Sequence, residues 1–294
     1  MKGSRHEVCP QCGKRTFKPY IDSQTGKPAG GQYGRCERIN TCQYMMYPKV
    51  DKQDDWQPAR REVEAPRPIE YVRDSLVEDT FRNFGENIFF RWLVKMFGSE
   101  TALALQSAYN LGTASGGGVI FWQQDRQHRF RTGKVMYYQP TGRRDKTRHS
   151  WFVHKKIRED FNYQQCFFGL HLATHDKPVA LCESEKTAVV MSVLMPDYTW
   201  LAAGGSEMLS IDRLMELPRL DMVFADNGQA EKWAQRTRLF AGRRMDGSVD
   251  LAVERGELEP GSDILDLYIK KTANGKEKEN EKAEASTGTA SNRA

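Results

Sequence analysis

Between residues 178 and 240, short apolar runs alternate three times with helical patterns, and this alternation constrains the fold more than any other feature. Val179–Cys182 reads as a buried strand, Glu183 and Ser184 interrupt it, and Glu185–Val193 continues as a helix. Tyr198–Ala203 reads as a second strand ending in Gly204-Gly205-Ser206, where Ser206 is placed to cap a helix through Leu217. Asp221–Ala225 reads as a third, ending at Asp226-Asn227-Gly228 before a helix from about Gln229 to Phe240. Strands alternating with helices require right-handed crossovers and give a parallel sheet. Its strands then end along one edge, where ligands, phosphates and metals collect. Glu183 and Asp226 fall on that edge as candidate catalytic residues, a pair of hard oxygen ligands suited to Mg²⁺. Farther on, Asp263 and Asp266 in Gly-Ser-Asp-Ile-Leu-Asp-Leu are candidate cofactor-binding acids. Each has an alternative role at a helix start, Asp263 as an N-cap and Asp266 as a solvated first-turn acid.

Four of the six cysteines lie in the first 42 residues. Cys9-Pro-Gln-Cys12-Gly is a tight knuckle that turns two thiolates toward one point, and Cys36 and Cys42 supply a looser second pair. Four soft thiolates suit a closed tetrahedral zinc site, structural and not catalytic. A module this small needs such a staple to fold. Lys14, Arg15, Phe17, Lys18, Tyr20, Tyr33, Arg35 and Arg38 mix cations with aromatics, a pattern equally suited to stacking and pairing with a flexible single strand.

From Lys49 to Pro68 the composition turns to Asp, Lys, Gln, Arg and Pro, which marks a linker. Ser75–Phe97 then carries core apolar residues at helical spacing in two helices divided near Gly85, and Ser99 caps a further helix that Gly112 ends. After Gly116-Gly117-Gly118 the period becomes two, and VIFWQQD, FRTGKVMYY and HSWFVH read as antiparallel strands. Between Arg126 and Arg158 eleven lysines and arginines face a single acid, Asp145. A bland surface mixes signs, so Arg126, Arg129, Arg131, Lys134, Arg143, Arg144, Lys146, Arg148, Lys155 and Lys156 are the candidate nucleic-acid-binding residues. Arg-Thr-Gly-Lys134 lacks the spacing of a phosphate-binding P-loop.

No apolar run approaches a membrane span, and the N-terminal residues lack the apolar segment of a secretory signal, so no membrane partner and a cytoplasmic location are expected. Cys166 and Cys182 lie in apolar runs and read as core; His149 and His154 show no metal spacing and read at most as contacts within the basic stripe. Residues 271–294 lack apolar periodicity and read as a disordered tail. The expected architecture is α+β and multidomain: a zinc ribbon at 1–48, a linker at 49–70, a central basic α+β region at 71–176 and an α/β parallel-sheet domain at 177–270.

The order of ESEKTA, a Gly-Gly strand end, ADNG and DILD resembles the Toprim domain shared by bacterial-type primases, topoisomerases and related nucleases. With the cysteine module and the stretches RTGKVMYY and QCFFGLHL, the chain looks more closely like the zinc-ribbon-plus-Toprim primase-like proteins of plasmids and conjugative elements. That resemblance implies phosphoryl transfer at Glu183, Mg²⁺ at Asp226, and single-stranded DNA, nucleoside triphosphates and a replication or helicase protein as partners. It implies primer synthesis by a DNA primase-type nucleotidyltransferase, with a catalytically degenerate single-stranded-DNA-binding protein or a Toprim nuclease as alternatives. The sequence departs from the family at Gly228, where the second acid of a D-x-D would stand, which leaves an incomplete acid set that Asn227, Asp263 or Asp266 would have to supplement. A second departure is Met45, where related modules often carry a histidine.

Overall fold

The computed structural model describes residues 6–22, 25–38, 41–48 and 67–272. The chain divides into two compact units, Met1–Ala65 and Pro66–Ala294. Most of the expected linker, 49–66, and the tail from 273 onward lie outside the described residues.

The first unit is a small antiparallel sheet in the order β1 (Phe17–Pro19), β2 (Gly34–Cys36), β3 (Met45–Met46). Its core is Phe17 with Cys9, Cys36 and Cys42. A Cβ at Gly34 would stand 2.3 Å from the Lys18 carbonyl and 2.6 Å from the Phe17 ring, so only glycine lets β1 and β2 close over that ring. Phe17 is therefore fully buried, which removes it from the surface aromatics expected to stack on a nucleic acid.

In the second unit, α1 (Asp74–Glu78) and α2 (Ile88–Ala108) flank a turn that contains Gly85, and α2 is broken at Gly98, whose φ of 83° no helix accommodates. Helix α2 ends at Ala108, and Gly112 belongs instead to β4 (Leu111–Ala114), a strand the sequence reading lacks. Gly112 is required there because a Cβ would meet the Thr80 hydroxyl at 2.4 Å and the Trp122 indole at 2.9 Å. Strands β5 (Gly118–Gln124), β6 (Phe130–Met136) and β7 (Trp151–Phe152) complete an antiparallel sheet in the order β4-β5-β6-β7, and the short α3 (His154–Ile157) follows it.

Beyond these come β8 (Val179–Cys182), α4 (Glu185–Leu194), β9 (Thr199–Ala202), α5 (Ile211–Met215), β10 (Met222–Phe224), α6 (Ala230–Arg236), β11 (Arg244–Met245) and α7 (Ser248–Glu254). A last helix covers 264–272, so residues 271 and 272, expected in the tail, are helical. The four strands are parallel in the order β11-β10-β8-β9. Ser210, not Ser206, caps α5: its hydroxyl accepts from the Arg213 N–H, while Ser206 begins a separate turn.

Strand β8 is buried on both faces, and its side chains divide by the pleat. Val179 and Leu181 pack with Leu214 and Trp233 on one side; Ala180 and Cys182 pack with Phe89, Phe121, Phe168 and Trp200 on the other. The second face is shared with the antiparallel sheet. The Tyr109 hydroxyl donates to the Trp200 carbonyl (3.1 Å), and the Phe121 and Phe168 rings meet edge to face at 5.4 Å. The boundary expected at 176/177 therefore runs through a single core. Residues 67–70, expected in the linker, are fixed as well, since the Asn162 amide donates to the Arg67 and Pro68 carbonyls and the Glu70 N–H donates to the Asn162 carbonyl.

Candidate active site at the strand mouths

Strand order places the site. Strand β8 has β9 on one side and β10 on the other, so the chain reverses its winding between β8 and β10. A crevice opens at such a switch point, beyond the carboxyl ends of the strands. Glu183 directly follows β8, and Asp226 lies two residues past the end of β10. Both line one pocket of about 290 Å³ with Asp263, Asp266, Lys134, Tyr138, Arg144, Lys186 and Thr187.

The acids shape its electrostatics. Burial, reinforced by the Glu183, Asp263 and Asp266 carboxylates, pushes the Asp226 carboxyl up to about 8. Among the described residues no side chain or backbone donor reaches that carboxylate. Burial also raises Glu183, opposed by the Ser206 backbone N–H and the Lys134 ammonium. Asp263 is raised by burial, with the Thr187 hydroxyl opposing. Its two oxygens are held in place: Oδ1 accepts from the Asp266 N–H (3.0 Å) and Oδ2 from the Thr187 hydroxyl. The Asp266 carboxylate in turn accepts from the Asp263 N–H (3.1 Å), a reciprocal capping box at the start of the 264–272 helix. Asp263 thus serves as N-cap and pocket acid together.

Asn227, a candidate substitute ligand, is engaged elsewhere. Its amide donates to Asp250 Oδ1 (2.7 Å) and accepts from the Gly261 N–H (3.2 Å), tying the β10 turn to the first turn of α7 and to a later loop. Gly228, at φ 78°, faces open space and donates its N–H to the same Asp250 oxygen (3.0 Å). Among the described residues, no three acidic side chains bring oxygens within 4.8 Å of one another; only the four cysteines converge that closely. A Mg²⁺ cage of three or more carboxylates is not preformed, because two ligands of one Mg²⁺ stand at most about 4.2 Å apart.

The basic stripe divides by partner. Arg131 is buried, its guanidinium held by Asp125 (2.9 Å) and Glu216 (3.2 Å), so it is not available to a nucleic acid. A register shift between Gln123 and Gln124 makes Arg131 the extra residue in β6, which lets Arg131 and Lys134 both reach groups of the parallel layer. Lys134 lies in the pocket wall, with Nζ 3.0 Å from both Glu185 oxygens and 2.8 Å from the Gly204 carbonyl. Arg129 pairs with Asp125 and lies over the Tyr71 ring, and Arg148 stacks on Tyr137 at 3.4 Å. Lys156 lies over Trp151, whereas Arg126, Arg143, Arg144, Lys146 and Lys155 are exposed. His154 is buried, stacked on Tyr163 and hydrogen-bonded to Thr132 (2.8 Å), so it is no base contact. Cys166 and Cys182 are both buried in the core. Sequence reasoning missed Glu185, Lys186 and Thr187, although their place in the first helical turn after a strand-end acid was itself the signal.

In the first unit the four thiols fit a tetrahedral zinc. The Cys9–Cys42 and Cys12–Cys36 sulfurs are 3.7 Å and 3.9 Å apart, close to the roughly 3.8 Å edge of a tetrahedron with 2.3 Å Zn–S bonds. The Lys14 backbone N–H pulls the Cys12 thiol down to about 6 and the Thr16 hydroxyl lowers Cys36, whereas burial pushes the Cys42 thiol up, so it is the geometry of the four sulfurs that argues for the metal. Tyr20 stacks on Tyr47 at 5.4 Å, and Lys18 pairs with Glu37. No helix among the described residues is long and apolar enough to cross a membrane.

Two family models match the chain: a zinc beta-ribbon finger over residues 1–56 and a domain of unknown function, DUF6371, over residues 87–226. No curated protein matches it. Among solved structures it is similar to the primase fragment of the bacteriophage T7 primase-helicase protein, at 14% identity over 82% of this chain and 96% of that one, with a TM-score of 0.39. It is also similar to a DNA primase domain from Pseudomonas aeruginosa, at 13% identity over 61% of this chain and 65% of that one, TM-score 0.30. The zinc-binding and RNA polymerase domains of the Aquifex aeolicus primase align at 14% identity over 63% and 53%, TM-score 0.30.

Proposed function

We propose that this chain is a Toprim-type, primase-like nucleic-acid-binding protein that carries out metal-dependent phosphoryl transfer at the mouths of β8 and β10. The observation that carries this reading is the meeting of Glu183 and Asp226 at the switch point of a parallel sheet, with Arg144 and Lys186 on the same pocket wall. Acids suited to a cation and bases suited to phosphate are thereby brought to one place. The order of ESEKTA, ADNG and DILD supports the same assignment and suggests primer synthesis in the replication or transfer of a mobile element. The zinc ribbon and the exposed Arg143, Arg144 and Lys146 support single-stranded DNA as the partner.

Glu183 and Asp226 would hold Mg²⁺, with Asp263 and Asp266 as nearby acids. The fit rests on the Asp226 carboxylate, which has no donor among the described residues, and on a donor set of hard oxygens alone. Mg²⁺ keeps several waters and takes one or two carboxylates in such sites, so a cage is not needed. Bound there, the ion would neutralise charge on a transferring phosphoryl group. Lys134 holds Glu185 and the Gly204 carbonyl in the pocket wall, and the Ser206 N–H supports the charged form of Glu183.

The test is incubation of the full chain with single-stranded DNA, nucleoside triphosphates and Mg²⁺ or Mn²⁺. Short products that disappear in Glu183→Gln and Asp226→Asn are expected. No product with either metal, or an undiminished yield from Glu183→Gln, overturns the catalytic reading. A second reading, single-stranded-DNA binding without chemistry, is favoured by Gly228, which carries no acid, and by Asn227, whose amide is committed to Asp250 and Gly261. It predicts salt-dependent binding that survives Glu183→Gln while no product forms.

A further inference from the structure

Helix α2 opens with two cations that the fold does not explain. Arg91 and Lys95 are four residues apart, hence on one face, and both are exposed. Among the described residues neither has an ion-pair or side-chain hydrogen-bond partner. Arg91 lies in the first turn after the Asn87 cap, where the helix dipole disfavours a cation, and like charges at this spacing repel. Both effects work against the helix, and among the described residues no acid pairs with either cation or lies in the first turn.

What these cations adjoin gives them a role. Arg91 and Lys95 line a small pocket floored by Ile88, Trp92 and Pro140. Gly142 contacts one lining residue of this pocket and one of the carboxylate pocket. Its carbonyl accepts from the Lys186 ammonium (2.9 Å), and its backbone lies so close to Trp92 that a Cβ would fall 2.3 Å from the indole. Lys186 lines the carboxylate pocket and lies 5.2 Å from the ring of Trp92, which lines the smaller one, so the two pockets adjoin through this pair. The next residues of the same loop, Arg143, Arg144 and Lys146, are exposed. By contrast Arg129, Arg131 and Arg158, elsewhere in the basic stretch, are paired with acids.

We propose that Arg91 and Lys95 form a phosphate-binding shelf for single-stranded nucleic acid that crosses the 139–148 loop on its way to or from the carboxylate pocket. This inference rests on the proposed nucleic-acid function of that pocket. A small anion would need its donors at one point. Cations spread over a helix and a loop, above an apolar floor, suit a flexible chain with repeating phosphates and apolar base faces.

Fluorescence anisotropy of the full chain with a labelled 20-nucleotide oligo-dT, read from 50 to 300 mM salt, tests the shelf. Arg91→Gln/Lys95→Gln is expected to weaken binding about 10-fold at 100 mM salt and to reduce the log–log salt slope by about 1.4, roughly 0.7 for each phosphate no longer neutralised. The charge-retaining Arg91→Lys/Lys95→Arg is expected to keep most of the affinity, and Arg238→Gln, an exposed cation elsewhere, to keep all of it. Matching thermal midpoints establish that each variant is folded. If Arg91→Gln/Lys95→Gln binds with wild-type affinity and slope while Arg143→Gln/Arg144→Gln/Lys146→Gln binds weakly, the shelf is overturned and the proposed function stands. If the unmodified chain does not bind at all, the proposed function falls and takes the shelf with it.

Discussion

The Lys134 ammonium lies 3.0 Å from both carboxylate oxygens of Glu185 and so joins β6 of the antiparallel sheet to α4 of the parallel layer. Glu185 is only 2% exposed and Lys134 13%, so water does little to screen the pair. Removing one partner of a buried pair leaves an uncompensated charge, at a cost of about 3–5 kcal/mol. Lys134→Met is expected to lower stability by that order in urea unfolding. Lys134→Met/Glu185→Leu is expected to recover most of the loss, because apolar replacement of both partners restores a dry interface. A double variant as unstable as the single one would mean that Lys134 acts through the Gly204 carbonyl instead.

A second buried charge sets an acid dependence. Burial alone would raise the Asp125 carboxyl, but the Arg129 N–H and guanidinium and the Arg131 guanidinium outweigh it and hold the group below its ordinary value. The native state therefore binds the Asp125 proton more weakly than the unfolded chain does. Stability from this group is fully present above the unfolded value of about 3.9 and is lost as pH falls through the lowered native one. Asp125→Asn is expected to destabilise the protein by roughly 3 kcal/mol at pH 7. The gap from the native sequence should narrow below pH 4, read as urea midpoints at pH 7 and pH 3. A constant gap would assign the cost to poorer packing and not to charge.

Features that depend on local order were legible in the sequence; those that depend on distant partners were not. The run Val179–Cys182 followed by Glu183 is a strand end wherever its sheet lies, and Asp226 follows the same rule after β10. That β10 lies directly beside β8 is a matter of strand order, which alternation alone leaves open. Arg131 counted toward a one-sign stripe because its acids are remote or outside the stretch: Glu216 is 85 residues away, and Asp125 stands one position before the stripe begins. Gly112 read as a helix stop because glycine ends helices, whereas here it makes room for the Trp122 indole and Thr80. Asn227 read as a spare oxygen donor because nothing nearby in sequence shows that Asp250 and Gly261 claim its amide.

The zinc ribbon depends on its metal. Its core consists of Phe17, Cys9, Cys36 and Cys42, far too little to order a module of this size, whereas zinc binding to such thiolates supplies on the order of 10–16 kcal/mol at pH 7. The purified chain is expected to contain one zinc. Stripping it with a strong chelator should expose the segment 6–48 to protease and leave 67–272 protected, because the second unit has its own core. Cys9→Ser/Cys42→Ser is expected to give the same digestion pattern without chelator. Unchanged resistance after complete zinc loss would contradict the dependence.

Gly142 and Gly228 adopt nearly the same left-handed backbone, φ 79° and 78°, but in opposite surroundings. A methyl group at Gly228 meets nothing within 4 Å, so Gly228→Ala bears only the backbone penalty of about 1–2 kcal/mol. At Gly142 the same methyl would fall 2.3 Å from the Trp92 ring, and relief requires moving the loop that accepts the Lys186 bond. Gly142→Ala is therefore expected to cost about 2 kcal/mol more than Gly228→Ala, in line with overpacking of a filled site. For a unit of this size that is a further drop of roughly 4–8 °C in thermal midpoint. Tryptophan emission should shift in Gly142→Ala and not in Gly228→Ala, since only the first displaces backbone packed against the Trp92 indole. Equal losses in the two variants would mean that the 139–148 loop yields without strain, and that Gly142 is held by its conformation alone.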